Sequence, residues 1–107
     1  MVYWITGRAK SGKTTKAKEL AKLHNGILLD GDEFRQYFDT GFSDNERLEH
    51  IMRMAKVAAI LEKQGFVVIV ACISPKKEWR KQAQALFMEC EETIMPGGFM
   101  WEGTEYD

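Results

Sequence analysis

Nine residues near the start of the chain, Gly7-Arg8-Ala9-Lys10-Ser11-Gly12-Lys13-Thr14-Thr15, carry the groups needed to wrap a phosphate. Their spacing is Gly-x-x-x-x-Gly-Lys-Thr. Phosphate oxygens are anionic, so a loop around them must turn several backbone N–H groups inward and approach closely. Glycine permits both, because it lacks a Cβ and tolerates positive φ. Lys13 is then expected to reach the outer phosphates of a nucleoside triphosphate, and the Thr14 hydroxyl to ligate a magnesium ion. A helix starting here adds the positive end of its dipole. The nine residues from Gly7 to Thr15 are expected to form the nucleotide site, with Lys13 also acting in catalysis and with Arg8 and Lys10 either touching phosphate or solvated.

Moving a terminal phosphate to a hydroxyl needs a carboxylate near that hydroxyl, to take its proton or to order a metal's water shell. Asp30 and Asp32, in "DGDEFR", are the candidates. Each has a second reading. Asp30 stands three residues before Glu33, the spacing of a helix capping box. Asp32 would favour the dipole in the first turn of the same helix. Arg35 falls about one turn beyond Asp32, and an arginine fork suits an anionic acceptor. Arg47 sits just inside a long helix, where a cation opposes the dipole. Its alternatives are the cleft or an ion pair with Asp44 or Glu46. His24 reads as a benign residue near a helix C-terminus.

These groups need elements to hold them. "VYWIT", residues 2 to 6, is β-branched and aromatic and reads as a strand. After the loop, Ala17, Leu20, Ala21 and His24 repeat at helical spacing, and Asn25-Gly26 is a stop signal. "ILLD", residues 27 to 30, is a second strand and "GDEFRQYF" a short helix. The longest helix is predicted from about Asp44 to Gln64, capped by Ser43 with Glu46. Its stripe is Leu48, Ile51, Met52, Ala55, Ala58, Ala59 and Glu62, widened by Ile60 and Leu61. "FVVIVACI", residues 66 to 73, is apolar throughout, as a strand buried on both faces is. Ser74-Pro75 predicts a cap and first turn, with Trp79, Ala83, Leu86 and Phe87 on one side of the helix that follows. "ECEETIM" is a last strand. The order βαβααβαβ predicts one α/β domain over residues 1–107: an open parallel sheet of about four strands with helices on both faces. Ligands then bind beyond the carboxyl ends of the strands. The phosphate loop, "DGDEFR" and "ISPKK" all collect at that edge.

Composition limits the alternatives. An apolar share of 45% and a charged share of 29% are those of an ordinary globular domain. A net charge of −1 argues against nucleic acid as the partner. No apolar run is long enough for a bilayer, and the chain enters a strand directly, so neither a membrane span nor a signal peptide is expected. Cys72 and Cys90 match no metal spacing and read as buried free thiols. The expected location is the cytoplasm.

Four segments, "GRAKSGKTT", "LLDGDEFR", "TGFSDNERLEHI" and "FVVIVACISP", resemble in order and spacing the adenylylsulfate kinases. These are P-loop kinases that phosphorylate the 3′-hydroxyl of adenosine 5′-phosphosulfate. The resemblance covers residues 1 to about 90 and implies a P-loop kinase fold. It implies that Lys13 and Thr14 hold the phosphates of ATP and Mg2+, and that Asp30 or Asp32 assists the acceptor hydroxyl and the metal. It assigns Arg35, Phe42 and Arg47, together with Asp32, to the adenylylsulfate, with Ile73 and Ser74 lining its pocket. His50 stands where the family usually has an asparagine of the substrate site, Glu46-Arg47 where Asp-Arg is usual, and Trp79 where an aspartate is usual. "CEETIMPGGFMWEGTEYD" stands in place of the long C-terminal part that carries the RD-x-KGLY lid segment and much of the adenine site. Without a lid, weak ATP binding, slow transfer or hydrolysis is expected. The tail could compensate through a homodimer or by setting Phe99, Trp101 or Tyr106 against a base; alternatively these aromatics simply cover the core. Two other functions stay open: a catalytically impaired nucleotide-binding module, and a small kinase for another acceptor such as a polynucleotide end.

Overall fold

The computed structural model describes residues 1–100 and 105–107. Its elements are β1 (Val2–Gly7), α1 (Lys13–His24), β2 (Ile27–Asp30), α2 (Gly31–Tyr37), α3 (Asp44–Lys63), β3 (Val68–Ala71), α4 (Lys77–Gln84) and β4 (Cys90–Met95). The four strands pair in parallel in the order β2-β3-β1-β4. Trp101, one of the three tail aromatics, lies outside the described residues.

Side chains on a strand alternate between faces, and here the alternation divides the core in two. Ile5, Ile69 and Ala71, with Tyr3 and Leu28, pack on Ala17, Leu20 and Ala21 of α1. Val2, Trp4, Val68, Val70 and Cys72, with Leu29, pack on the opposite face against Ile51, Met54, Ala55 and Ala58 of α3 and Trp79 and Ala83 of α4. Both faces are therefore covered by helices, and every residue of β3 is buried. Full burial of a side chain such as Ile51 contributes roughly 1.5–3 kcal/mol.

The helix ends follow local chemistry. Gly12 caps α1 at φ 90°, a left-handed conformation that a Cβ would oppose. Asn25 ends α1, also left-handed, at φ 50°. Ser43 caps α3: its hydroxyl accepts the Glu46 N–H at 3.3 Å and donates to the Glu46 carboxylate at 2.7 Å. The other Glu46 oxygen accepts the Gly41 N–H at 2.9 Å.

Four expectations need correcting. The cap of α4 is Lys76, not Ser74, and the helix starts at Lys77. Ser74 is fully buried, and its hydroxyl accepts from the Trp4 indole N–H at 3.0 Å and donates to Thr6 Oγ1 at 2.7 Å. Ile60 is 58% exposed, because the buried stripe of α3 runs through Met54 instead. Leu86 lies past the end of α4 and is exposed. The strand expected over 66 to 73 is confined to Val68–Ala71.

Glu62 is buried near the end of α3. Its two oxygens accept the Met88 N–H at 2.8 Å and the Glu89 N–H at 3.1 Å, and the Met1 ammonium lies 3.0 Å away. One carboxylate thus ties the end of α3 to the start of β4. Burial alone would raise its pKa, but the two amides and the ammonium hold it below its ordinary value of 4.5. The stabilisation is then complete above pH 4.5 and is lost as pH falls through the lower folded value. Glu62→Ala is expected to cost about 1–3 kcal/mol at neutral pH, since two part-buried amides lose their charged acceptor. Urea denaturation of both proteins would measure it, and the difference should shrink as the medium is acidified below that range.

Candidate functional site

The connection leaving β1 heads toward β2, and the one leaving β3 heads toward β4. The carboxyl ends of β1 and β3 therefore lie side by side with their loops diverging, which opens a crevice between them. A cleft of about 610 Å³ occupies this position. The phosphate loop from Ala9 to Thr15 forms one wall, and Asp30, Gly31 and Asp32 form another. Arg35, Phe42, Arg47 and His50 line the far end, with Ile73 and Pro75 from the β3 loop, while Phe99 and Met100 from the tail line the cleft beside the phosphate loop.

Within the loop, the half-buried Lys13 turns its ammonium onto the Arg8 carbonyl at 2.7 Å. Partial burial lowers its pKa, and Asp32 and Asp30 pull the other way. Asp30 both caps a helix and reaches the loop. Its Oδ1 accepts the Asp32 N–H at 2.9 Å, and its Oδ2 accepts the Thr14 hydroxyl at 3.1 Å. The cap bond goes to Asp32 rather than to the residue three positions on. Hydroxyl and carboxylate oxygens of this kind are the hard donors that magnesium takes alongside phosphate oxygens, so the pair fits that ion. Among the described residues no cluster of three or more His, Cys, Asp or Glu forms an all-protein metal site.

At the far end, Arg35 donates from Nη1 to the carbonyls of Thr40 at 3.0 Å and Gly41 at 3.3 Å. Its guanidinium lies 4.4 Å from the centre of the Phe42 ring, itself 67% exposed. Burial lowers the Arg35 pKa, and the like charge of Arg47 adds to the effect. Arg47 makes no ion pair among the described residues. Glu46 is engaged by Ser43 and Gly41, and Asp44 lies 3.9 Å from Lys76. Of the two readings for Arg47, the structure favours the cleft.

His50 is only 4% exposed, and its Nδ1 has no hydrogen-bond partner among the described residues. Burial, then Arg35 and Arg53, push its pKa down to about 4. Gly31 lies against it: a Cβ there would come 3.1 Å from the Cys72 Cβ and 3.4 Å from His50 Nε2. The residue between the two aspartates thus has to be small, a requirement its place in "DGD" could have signalled.

Most of the sequence-predicted residues meet in the cleft, but not all. Gly7 and Arg8 do not line the cleft, and Arg8 sets its guanidinium 5.2 Å from the centre of the Tyr106 ring. Ser74 points into the protein and does not line the cleft, which corrects its expected place in the pocket wall. Tyr106 is not set against the cleft either. Its hydroxyl pairs with Thr6 Oγ1 at 2.8 Å, and its ring lies between Arg8 and Arg80. His24 stacks on Tyr3 at 4.9 Å, away from the site. Both cysteines are free thiols, and burial raises Cys72 to about 12 and Cys90 to about 11.

Residues 1–95 match the family described as adenylylsulphate kinase. The chain is 41% identical to an adenylyl-sulfate kinase of Bacillus velezensis, across 84% of its own length and 49% of the relative's. It is 43% identical to an adenylyl-sulfate kinase of Burkholderia ambifaria, across 80% of its length and 51% of that protein's. The solved APS kinase of Mycobacterium tuberculosis in complex with AMPPNP and APS superposes with a TM-score of 0.83 at 30% identity, over 89% of this chain and 61% of that one. The chain therefore spans about half the length of the curated relatives it matches. No helix among the described residues is long and apolar enough to cross a membrane.

The depressed His50 pKa has a measurable consequence. A histidine that binds its proton less readily when folded stabilises the fold fully above its ordinary value of 6.5 and loses that contribution as pH falls toward 4. Stability should therefore decline across this window, and His50→Asn should flatten the decline by up to about 1.4 kcal/mol per pH unit. Proton NMR should show no titration step for the His50 ring between about pH 5.5 and 8.

Proposed function

The chain belongs to the adenylylsulphate kinase family, and we propose on that footing that it transfers the terminal phosphate of Mg-ATP to the 3′-hydroxyl of adenosine 5′-phosphosulfate or a closely related acceptor. One observation carries this reading. A phosphate loop, two aspartates and two arginines beside an exposed aromatic ring share one cleft. The loop suits a triphosphate, the aspartates a hydroxyl, and Arg35, Phe42 and Arg47 an anionic nucleotide. ATP as the donor supports a cytoplasmic setting.

In this reading the backbone N–H groups of the loop and the Lys13 ammonium hold the outer phosphates. Thr14 and Asp30 would hold the magnesium ion, which when bound neutralises charge on those phosphates. Asp30 already uses one oxygen on the Asp32 N–H and the other on Thr14. The Asp32 carboxylate makes no hydrogen bond among the described residues and stands at the cleft wall, so it is the better proton acceptor. The acceptor oxygen attacks the terminal phosphorus, the bond to the bridging oxygen breaks, ADP leaves, and the hydroxyl proton passes to Asp32. Arg35 and Arg47 hold the acceptor's sulfate and phosphate charges. The neutral His50 imidazole adds no third cation there.

ADP release with Mg-ATP, with and without adenylylsulfate, tests the proposal. Release is expected only when the acceptor is present. Asp32→Asn should lower kcat about 10²–10⁴-fold while nucleotide still raises the melting temperature. Lys13→Ala should weaken nucleotide binding at least about tenfold, a loss of about 1.4 kcal/mol. A thermal shift with ATP but no acceptor-dependent ADP would leave a nucleotide-binding module in its place. Phosphorylation of a single-stranded oligonucleotide instead would move the acceptor to a polynucleotide end.

A further inference from the structure

The segment after β4 returns to the phosphate loop. Gly97 and Gly98 both take positive φ, 79° and 73°, and turn the chain back over it. The Ala9 N–H then donates to the Phe99 carbonyl at 3.0 Å, and the Phe99 N–H donates to the Ala9 carbonyl at 3.0 Å. This is an isolated antiparallel bridge. Gly98 lies so close to the loop that a Cβ on it would overlap the Ala9 carbonyl oxygen and come within 3.1 Å of the Arg8 and Ser11 side chains. Any other residue there would lift the segment away. A second anchor lies further on, where the Tyr106 hydroxyl meets Thr6 at the base of the loop.

Two consequences follow for the loop. Ala9 has both backbone groups committed to Phe99, so its N–H does not serve a phosphate. That work falls to the amides on the Lys10–Thr14 side. Beside them stand Phe99 and Met100, both in the cleft wall, with the Phe99 ring 46% exposed. An apolar ring held by two backbone hydrogen bonds beside a phosphate loop is placed to keep water off whatever the loop binds.

We propose that residues 96–100 form a strap fixed across Ala9, and that Phe99 and Met100 form an apolar cover over the terminal phosphate of a bound nucleoside triphosphate, favouring transfer over hydrolysis. Water competes with the acceptor hydroxyl for the same phosphorus, and its exclusion also strengthens the loop's electrostatic grip. The inference rests on the reading of residues 7–15 as a nucleotide site.

Two measurements test it, one of them independent of turnover. In protein carrying 4-fluorophenylalanine, the Phe99 resonance is assigned by its loss in Phe99→Leu. A non-hydrolysable Mg-ATP analogue should move that resonance further than Mg-ADP does. Equal movement, or none, in protein whose melting temperature both nucleotides raise would overturn the cover. If neither nucleotide raises the melting temperature, the nucleotide reading falls and the cover falls with it. The second measurement uses Phe99→Ala, which keeps the backbone bridge, and Gly98→Val, which should break it. In both, the ratio of acceptor-independent ADP release to phosphoryl transfer should rise about tenfold, or about 1.4 kcal/mol of relative barrier. An unchanged ratio in Phe99→Ala would refute the proposal. If nucleotide binds but nothing turns over, the kinase reading fails, while the fluorine comparison still judges the cover.

Discussion

Two neighbouring parallel strands point both their carboxyl ends at the same edge of a sheet, and the cleft exists because β1 and β3 are such a pair. Their register, Val2 to Val68 through Ile5 to Ala71, sets the phosphate loop beside the loop from Cys72 to Pro75. Pairing of β2 with β3, Asp30 opposite Ala71, then brings the aspartates to the same edge. If β3 slipped by one residue, every side chain of the strand would change face. Both of its faces are buried against helices, so the core resists that slip, and the geometry of the site follows from the core.

The charges of the cleft are distributed by what each partner already holds. Asp30 divides its two oxygens, one for the α2 cap and one for Thr14. A change in what Thr14 binds therefore leaves the cap on the other oxygen and α2 in place. Glu46 is engaged by Ser43 and Gly41, and neither Arg35 nor Arg47 is ion-paired with a carboxylate among the described residues. Like charges so close are tolerable while solvent reaches them, and they become favourable when an anion sits between them. Burial, with Arg35 and Arg53, keeps the His50 imidazole neutral.

What could be read from the chain divides by the range of the interaction. The phosphate loop, the Ser43–Glu46 cap and the Asn25 stop are each written within a few residues, and the structure keeps all three. The buried β3 and the two-faced packing follow from hydrophobic period and were equally legible. Ser74 was misread because Ser-Pro is a local cap signal, whereas its hydroxyl is claimed by Trp4, seventy positions away. Ile60 was misread because a broad apolar stripe does not say which of its edges faces the sheet. For Arg47 and Asp30 two readings stayed open: the three-dimensional partners leave Arg47 without an ion pair among the described residues, and let Asp30 serve the cap and the loop at once. The tail was the least legible part, since "PGGFM" has no period to interpret.

That tail nevertheless bears on how the loop works. A phosphate loop must stay concave before its ligand arrives, although N–H groups that converge on one point repel one another. Two contacts oppose collapse here: the Lys13 ammonium on the Arg8 carbonyl, and the paired bonds between Ala9 and Phe99. They act on adjacent residues, Arg8 and Ala9. In the proposed reading the Lys13 contact is released when phosphate binds, because the same ammonium is needed there. The Ala9 contact does not, because its amide faces the tail. On that reading one contact of the loop gives way to ligand and one stays, and the one that stays is where the apolar side chains meet the cleft.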